Sequence, residues 1–256
     1  VASDWLLELG HTRLKLARRG LDGALDSIKA MTPERFSDWL DARPEAAVDD
    51  RFWLAAVPDG DGTQSVLRRL AAHDLACRRL LTGAVQLPVA APYVGLGIDR
   101  WLAVQPVWRE LGTAFCMVDC GSAITLDVVD DRGVHRGGWI APGLETARAG
   151  LLTRAPVLDR PRCDEQVDLG PANDTAPAIE RGLLLQQAGL VALAMRQARR
   201  LGGCANAALV LTGGDAARLQ LQSDPGLAAA RLEPDLVLRG LAIAVEFLQT
   251  DDSNLA

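Results

Sequence analysis

One pattern occurs twice in this chain. The first copy is WLLELGHTRLKLARR, Trp5–Arg19, and the second is AFCMVDCGSAITLDVVD, Ala114–Asp130. In each, an apolar run leads to an acidic residue, one residue follows, then a glycine, two small or polar residues, and a second strand-like run. Superposing the copies places Glu8 on Asp119, Gly10 on Gly121, and His11-Thr12 on Ser122-Ala123. The pattern predicts two β-hairpins with a glycine at each tip. Glycine there leaves no Cβ between the backbone amides and an approaching anion. An acidic residue at the strand end can hold a cation, directly or through water. Two such hairpins facing each other would grip a metal–polyphosphate from both sides. The repeat therefore points to a duplicated fold with a nucleotide such as ATP in the cleft between its halves.

The rest of the chain repeats the same order of elements. Strands are predicted at 6–9, 14–18 and 24–30, then a helix opened by Thr32-Pro33-Glu34 and running to about Ala42, with Thr32 as N-cap. A strand at 52–57, a helix at 62–74, a short strand at 79–81 and a helix at 99–111 complete the first half. The second half has strands at 114–119, 123–129 and 134–140, and a helix at 142–154. A loop rich in Pro, Asp and Gly over 156–172 reads as mobile. A long helix capped by Asp174 or Thr175 runs to about Leu201. A strand at 207–211 is broken by Gly213-Gly214, and helices follow at 214–220 and 235–248. This is the order of an α/β, duplicated ribonuclease H-like (actin-like ATPase) fold. Its halves are expected at 1–112 and 113–256, with the boundary near Gly112.

Composition narrows the partners. The net charge of −6 weighs against nucleic acid as the main partner. No apolar run approaches the ~20 residues of a membrane-spanning helix and no signal peptide is visible, so the expected location is cytoplasmic. Five scattered cysteines give neither a disulfide framework nor a zinc pattern, and Cys116 and Cys120 read as buried strand residues. His73 and His135 read as solvated. Arg outnumbers Lys so heavily that only Lys15 and Lys29 occur. Lys15 lies inside the first hairpin, where a compact ammonium can act as a point charge on a phosphate.

Five motifs in order now resemble a known family, the type III pantothenate kinases, over nearly the whole chain. That family opens with Asp-x-Gly-Asn-Thr-x-x-Lys, and here stands Glu8-Leu9-Gly10-His11-Thr12-Arg13-Leu14-Lys15. Its Gly-x-Asp-Arg motif is present as Gly97-Ile98-Asp99-Arg100, with Tyr93 just upstream. Asp-x-Gly-Thr-Ala-x-Thr appears as Asp119-Cys120-Gly121-Ser122-Ala123-Ile124-Thr125. Gly-Gly-x-Ile-x-Pro-Gly is intact at Gly137–Gly143, and Thr212-Gly213-Gly214-Asp215 resembles the adenosine-side turn. Relatives described as Bvg accessory factors share the likeness.

The resemblance implies an ATP-dependent kinase of pantothenate acting at the first step of coenzyme A synthesis. Asp99 would be the general base on the acceptor hydroxyl, and Arg100 would pair with the pantothenate carboxylate. Tyr93, Gly97, Ile98 and Thr175 would complete the acceptor site. Gly10, His11, Thr12, Lys15, Gly121, Ser122, Gly213 and Gly214 would surround ATP. Glu8 would hold Mg²⁺ through water, and Asp119 a monovalent cation, K⁺ or NH₄⁺. The resemblance also implies a homodimer in which each pantothenate pocket is closed by the neighbour. Plainer roles stand beside these. Asp99 suits the N-cap of a helix beginning at Arg100, and Thr175 a second N-cap. Glu8 suits a simple strand end, Asp119 a structural turn residue, and Arg100 a surface ion pair. Three residues depart from the family pattern: Glu8 for Asp, His11 for Asn and Ser122 for Thr. The first hairpin is thus expected to be the weaker one. Two other functions remain open: a catalytically weakened accessory or regulatory protein, and an actin-like kinase of another small alcohol.

Overall fold

The protein is described from a computed structural model covering residues 3–10, 13–20, 22–42, 50–57, 61–161, 169–220 and 225–254. His11 and Thr12 lie outside the described residues. The chain forms two compact units. One comprises Val1–Glu110 with Leu236–Ala256, and the other Leu111–Asp235.

The first unit contains β1 (Asp4–Leu9), β2 (Leu14–Arg19), β3 (Leu25–Met31), α1 (Pro33–Asp41), β4 (Arg51–Ala56), α2 (Asp61–Ala72), β5 (Ala76–Arg79) and α3 (Ile98–Leu111). Its five strands lie in the order β3-β2-β1-β4-β5. β1, β2 and β3 form an antiparallel meander, whereas β4 and β5 run parallel to β1. Strand alternation sends Leu7, Leu9, Leu14, Leu16, Phe52 and Leu54 to one face. There they pack on Phe36 and Leu40 of α1 and Val66 and Leu70 of α2. Leu6, Ala17 and Ala55 have the opposite parity and are buried as well. That face is covered by the last helix of the chain, α8 (Leu236–Asn254), which packs on β1, β2 and β4. Burial on both faces explains why β1 reads as almost continuously apolar. The last helix therefore groups with the first sheet, whereas a single cut near Gly112 assigns it to the second half. It also meets α3 closely. Pro106 has no N–H to offer the Leu102 carbonyl. Gly240 of α8 lies against that carbonyl, and a Cβ there would stand 2.0 Å from the Leu102 oxygen.

The second unit contains β6 (Phe115–Cys120), β7 (Ala123–Val129), β8 (His135–Pro142), α4 (Leu144–Arg154), a 3₁₀ turn (Pro156–Leu158), α5 (Thr175–Ala198), β9 (Ala208–Thr212), α6 (Ala216–Gln220), α7 (Pro225–Ala228) and β10 (Arg231–Leu232). The strand order, β10-β9-β6-β7-β8, is that of the first sheet read from the other edge. Again the first three strands form an antiparallel meander and the last two run parallel to the first. Cys116, Val118, Cys120, Ile124, Leu126 and Val128 pack on Val191, Ala194, Met195 and Ala198 of α5.

Several elements differ from their sequence expectation. The fifth strand is Ala76–Arg79, earlier than 79–81, because it pairs in register with Arg51–Leu54 of β4. Pro142 still pairs with Ala123, so α4 begins at Leu144 with Gly143 as N-cap. Asp174 is the cap of α5, its carboxylate accepting from Ala176 N at 3.1 Å. Part of the connection before α5 is a 3₁₀ turn, and 162–168 lie outside the described residues. His135 is buried, not solvated. Its Nδ1 accepts from Gly137 N at 3.1 Å, so the ring proton sits on Nε2 and faces Asp127 Oδ1 at 2.9 Å.

Candidate active site

The two acidic residues of the repeated pattern occupy the same place in the two sheets. Glu8 is the fifth of six residues in β1, and Asp119 the fifth of six in β6. The turns that follow differ in length. β1 and β2 are joined by residues 10–13 with Gly10 N donating to Arg13 O at 3.0 Å, and β6 and β7 by Gly121-Ser122 with Gly121 N donating to Ala123 O at 3.1 Å. In the first hairpin Glu8 is in register with Lys15, and the ammonium lies 4.0 Å from Glu8 Oε2.

The helix that carries the Gly-x-Asp-Arg motif starts one residue earlier than expected. Trp101 N donates to Gly97 O at 3.1 Å, which makes Gly97 the N-cap and places Asp99 inside the first turn. Asp99 is therefore not the cap. Its carboxylate turns back over Gly97, with Oδ1 only 2.5 Å from where a Cβ on Gly97 would stand. Arg100 is buried, not a surface cation, and its Nη1 donates to the Tyr93 hydroxyl at 3.2 Å. The loop before the helix is held by Gln105, which accepts from Val89 N at 3.1 Å and donates to Val89 O at 2.8 Å. Trp101 Nε1 donates to the same carbonyl at 3.0 Å. Tyr93, Gly97, Asp99 and Arg100 are thus gathered at the start of one well-anchored helix, with Ile98 buried beneath them.

The second hairpin is enclosed by glycine turns. Asp119 is in register with Thr125 on β7 and Thr212 on β9, placing it between two threonines. Beyond β9, Gly213 has φ +91°, and a Cβ there would stand 2.4 Å from Asp119 Oδ1. Asp215 N donates to Cys120 O at 3.1 Å. On the other side Gly143 N donates to Ser122 O at 3.0 Å and the Thr146 hydroxyl to the same oxygen at 2.6 Å. Gly143 is so close that a Cβ would lie 2.0 Å from the Gly121 oxygen. Gly121, Ser122, Gly213 and Asp119 therefore come together, with Gly214 next in the chain. Burial pushes the Cys120 thiol up to about 12, and the Asp119 and Asp215 carboxylates add to it, so this cysteine stays a neutral packing residue.

Thr175 stands apart from that cluster, in an open groove of about 380 Å³. Its neighbours there, Leu151, Leu158, Ile179 and Leu183, are apolar, and with Asp174 acting as cap the Thr175 hydroxyl is not needed for that role. Gly143, Thr146, Thr212 and Asp215 belong to the second cluster but were not singled out as site residues. Their positions in the two glycine motifs were the available signal for all but Thr146.

Two sheets of identical connectivity, each with an acidic residue at the same place in its first strand, define an actin-like ATPase fold. The model of the type III pantothenate kinase family matches residues 9–197. A type III pantothenate kinase of Marinobacter nauticus is 32% identical over 257 residues, spanning 92% of this chain and 95% of that protein. One from Azotobacter vinelandii is 40% identical over 153 residues, a match that spans 58% of this chain and 59% of the relative's length. A Campylobacter jejuni structure described as a Baf family transcriptional activator superposes with a TM-score of 0.64 at 20% identity, over 96% of this chain and 99% of that one. The chain belongs to the type III pantothenate kinase family. Among the described residues no helix is long and apolar enough to cross a membrane.

Proposed function

We propose that this protein transfers the γ-phosphoryl group of ATP to the primary hydroxyl of pantothenate, the first step of coenzyme A synthesis, in the cytoplasm. The observation that carries the reading is the unaltered Gly97–Arg100 motif. It lies at the start of α3 with its arginine buried against Tyr93. Phosphoryl transfer demands positioning and charge neutralisation more than covalent chemistry. The acceptor oxygen forms a bond to the γ-phosphorus as the bond to the β-phosphate oxygen breaks and ADP leaves. Asp99 takes the hydroxyl proton. Arg100, fixed by Tyr93, holds the pantothenate carboxylate through a charge-assisted pair. Ile98 and Gly97 shape the floor beneath the acceptor, and the family pattern adds Thr175 as an acceptor-binding residue.

The family pattern assigns Gly10, His11, Thr12 and Lys15 to the phosphates. Gly121 and Ser122 meet them at the second hairpin, and Gly213 and Gly214 form the adenosine side. Glu8 and Asp119 each present one hard carboxylate beside a glycine turn. That donor set fits Mg²⁺, which takes one or two carboxylates together with substrate phosphates. Glu8 would hold Mg²⁺ through water and Asp119 the K⁺ or NH₄⁺. Bound there, the cations would neutralise charge on the transferring phosphate.

Coupled ADP release with purified protein, Mg-ATP and pantothenate tests the proposal in K⁺, NH₄⁺ and Na⁺ buffers. Pantothenate-dependent release is expected in K⁺ or NH₄⁺. A rate no higher than with ATP alone would sink the reading, and a panel of sugars and other small alcohols would then show whether a different acceptor is used.

The working form is a homodimer. Leu185 and Leu193 project from α5 with 54% and 48% exposure, and the Leu151–Leu183 groove opens beside the start of the same helix. Such apolar surface on one element suits a contact with a second copy. Light scattering at micromolar concentration should give roughly twice the 27.3 kDa chain mass. A monomer that keeps full activity on dilution would remove both the interface and a shared pocket.

A further inference from the structure

Glu180 lies in the second turn of α5 and is only 6% exposed. Its two carboxylate oxygens serve two different helices. Oε1 accepts from Arg148 Nε of α4 at 3.1 Å, and Oε2 from Arg218 Nη2 of α6 at 2.9 Å. Removing a carboxylate from water is costly, and an apolar side chain of similar size often stabilises such a place equally well. An Arg–Glu–Arg bridge is therefore a poor device for stability alone, and what its geometry does specify is the relative placement of α4 and α6.

Both helices begin at the β6–β7 turn. Gly143 and Thr146, at the start of α4, bond to Ser122 O on one side of it. Arg148 lies five residues beyond Gly143, about 7.5 Å along the helix. On the other side, Asp215 N bonds to Cys120 O, and Gly213 presses on Asp119. Arg218 follows Asp215 by less than one helical turn. We infer that Glu180 is a positioning residue for the nucleotide: it ties together the two walls of the Gly121-Ser122 turn, holding the spacing into which a phosphate group must fit. The inference rests on the nucleotide-binding part of the kinase reading. Glu180 touches no reacting group in it.

Glu180→Gln keeps the shape but turns an amide toward a guanidinium and removes the shared charge. Calorimetric titration with Mg-ADP, without any acceptor, should show affinity weakened by roughly tenfold, the scale on which small misplacements of binding groups are felt. The KM for pantothenate should stay within about twofold. Arg148→Met and Arg218→Met should each weaken Mg-ADP binding, because each cuts one arm of the same bridge. His135→Leu serves as a control for stability. It removes the buried donor to Asp127 in the same unit, and should lower Tm without changing Mg-ADP affinity. A Glu180→Gln protein with lowered Tm but unchanged Mg-ADP affinity would overturn the inference. So would an equal rise in the pantothenate KM, or a wild type that binds no nucleotide. A wild type that binds Mg-ADP and never phosphorylates pantothenate would overturn the acceptor assignment while leaving Glu180 in its role.

Discussion

Asp99→Asn is expected to lower kcat for pantothenate phosphorylation by at least ~10²-fold, the usual floor for loss of a general base. That corresponds to about 2.7 kcal/mol of barrier. The amide matches the carboxylate in size but cannot accept the acceptor's proton. Nucleotide affinity should stay within about twofold, since the phosphates are assigned to the hairpin turns and not to this residue. The competing explanation is that Asp99 only supports its helix, and the structure restricts that role. Gly97 is the N-cap, with Trp101 N bonded to its carbonyl, and Asp99 sits within the first turn. A carboxylate there gains roughly 0.3–1 kcal/mol from the helix dipole, enough to move Tm slightly. A purely helical Asp99 thus predicts a small fall in Tm and near-normal turnover, whereas a catalytic one predicts the reverse ratio. Steady-state kinetics beside a melting curve separates them, and kcat within a few-fold of wild type would reduce Asp99 to a structural residue.

The duplicated topology was legible because each copy joins two strong local signals, an apolar strand and a glycine placed just after an acidic residue. The Gly97–Arg100 cluster was legible for the same reason, since its residues are neighbours in the chain. Long-range choices were not. The apolar stripe of α8 shows that it must be buried, but not that β1, β2 and β4 of the first sheet will cover it. β10 is two residues long, too short for any periodicity to register. His135 stands between Val134 and Arg136 at the start of its strand and reads as solvated. Its burial depends on a register shift between Asp127 and Val129, an irregularity that reverses the simple alternation of faces. Glu180 is one of 33 acidic residues, and its meaning appears only when α4, α5 and α6 are brought together. The second hairpin illustrates the same divide. Gly121, Ser122 and Asp119 could be read from the motif, whereas the tight seat of Gly143 and Gly213 against it is a tertiary fact.

That seat makes Gly213→Ala the second substitution with a large expected effect. Gly213 has φ +91°, a conformation that costs an L-residue roughly 1–2 kcal/mol. A Cβ there would also stand 2.4 Å from Asp119 Oδ1 and 2.6 Å from the Cys120 oxygen. The Cys120 carbonyl cannot yield readily, because it accepts from Asp215 N and belongs to a strand paired on both sides. The Asp119 carboxylate or the whole turn must move instead, and such overpacking costs about 1–3 kcal/mol more. If Asp119 holds the monovalent cation, its displacement should abolish the stimulation by K⁺ or NH₄⁺ and weaken Mg-ATP binding by at least ~10-fold. Gly214→Ala provides the matched control for folding. Its added Cβ meets nothing within 4 Å and its φ is not in the left-handed region, so its Tm should stay close to wild type. Melting curves of the two variants, with Mg-ATP titrations in K⁺ and Na⁺, distinguish the possibilities. Equal Tm values would show that the turn relaxes freely around a methyl group. A destabilised Gly213→Ala protein that still binds Mg-ATP normally and still responds to K⁺ would place the cation away from Asp119.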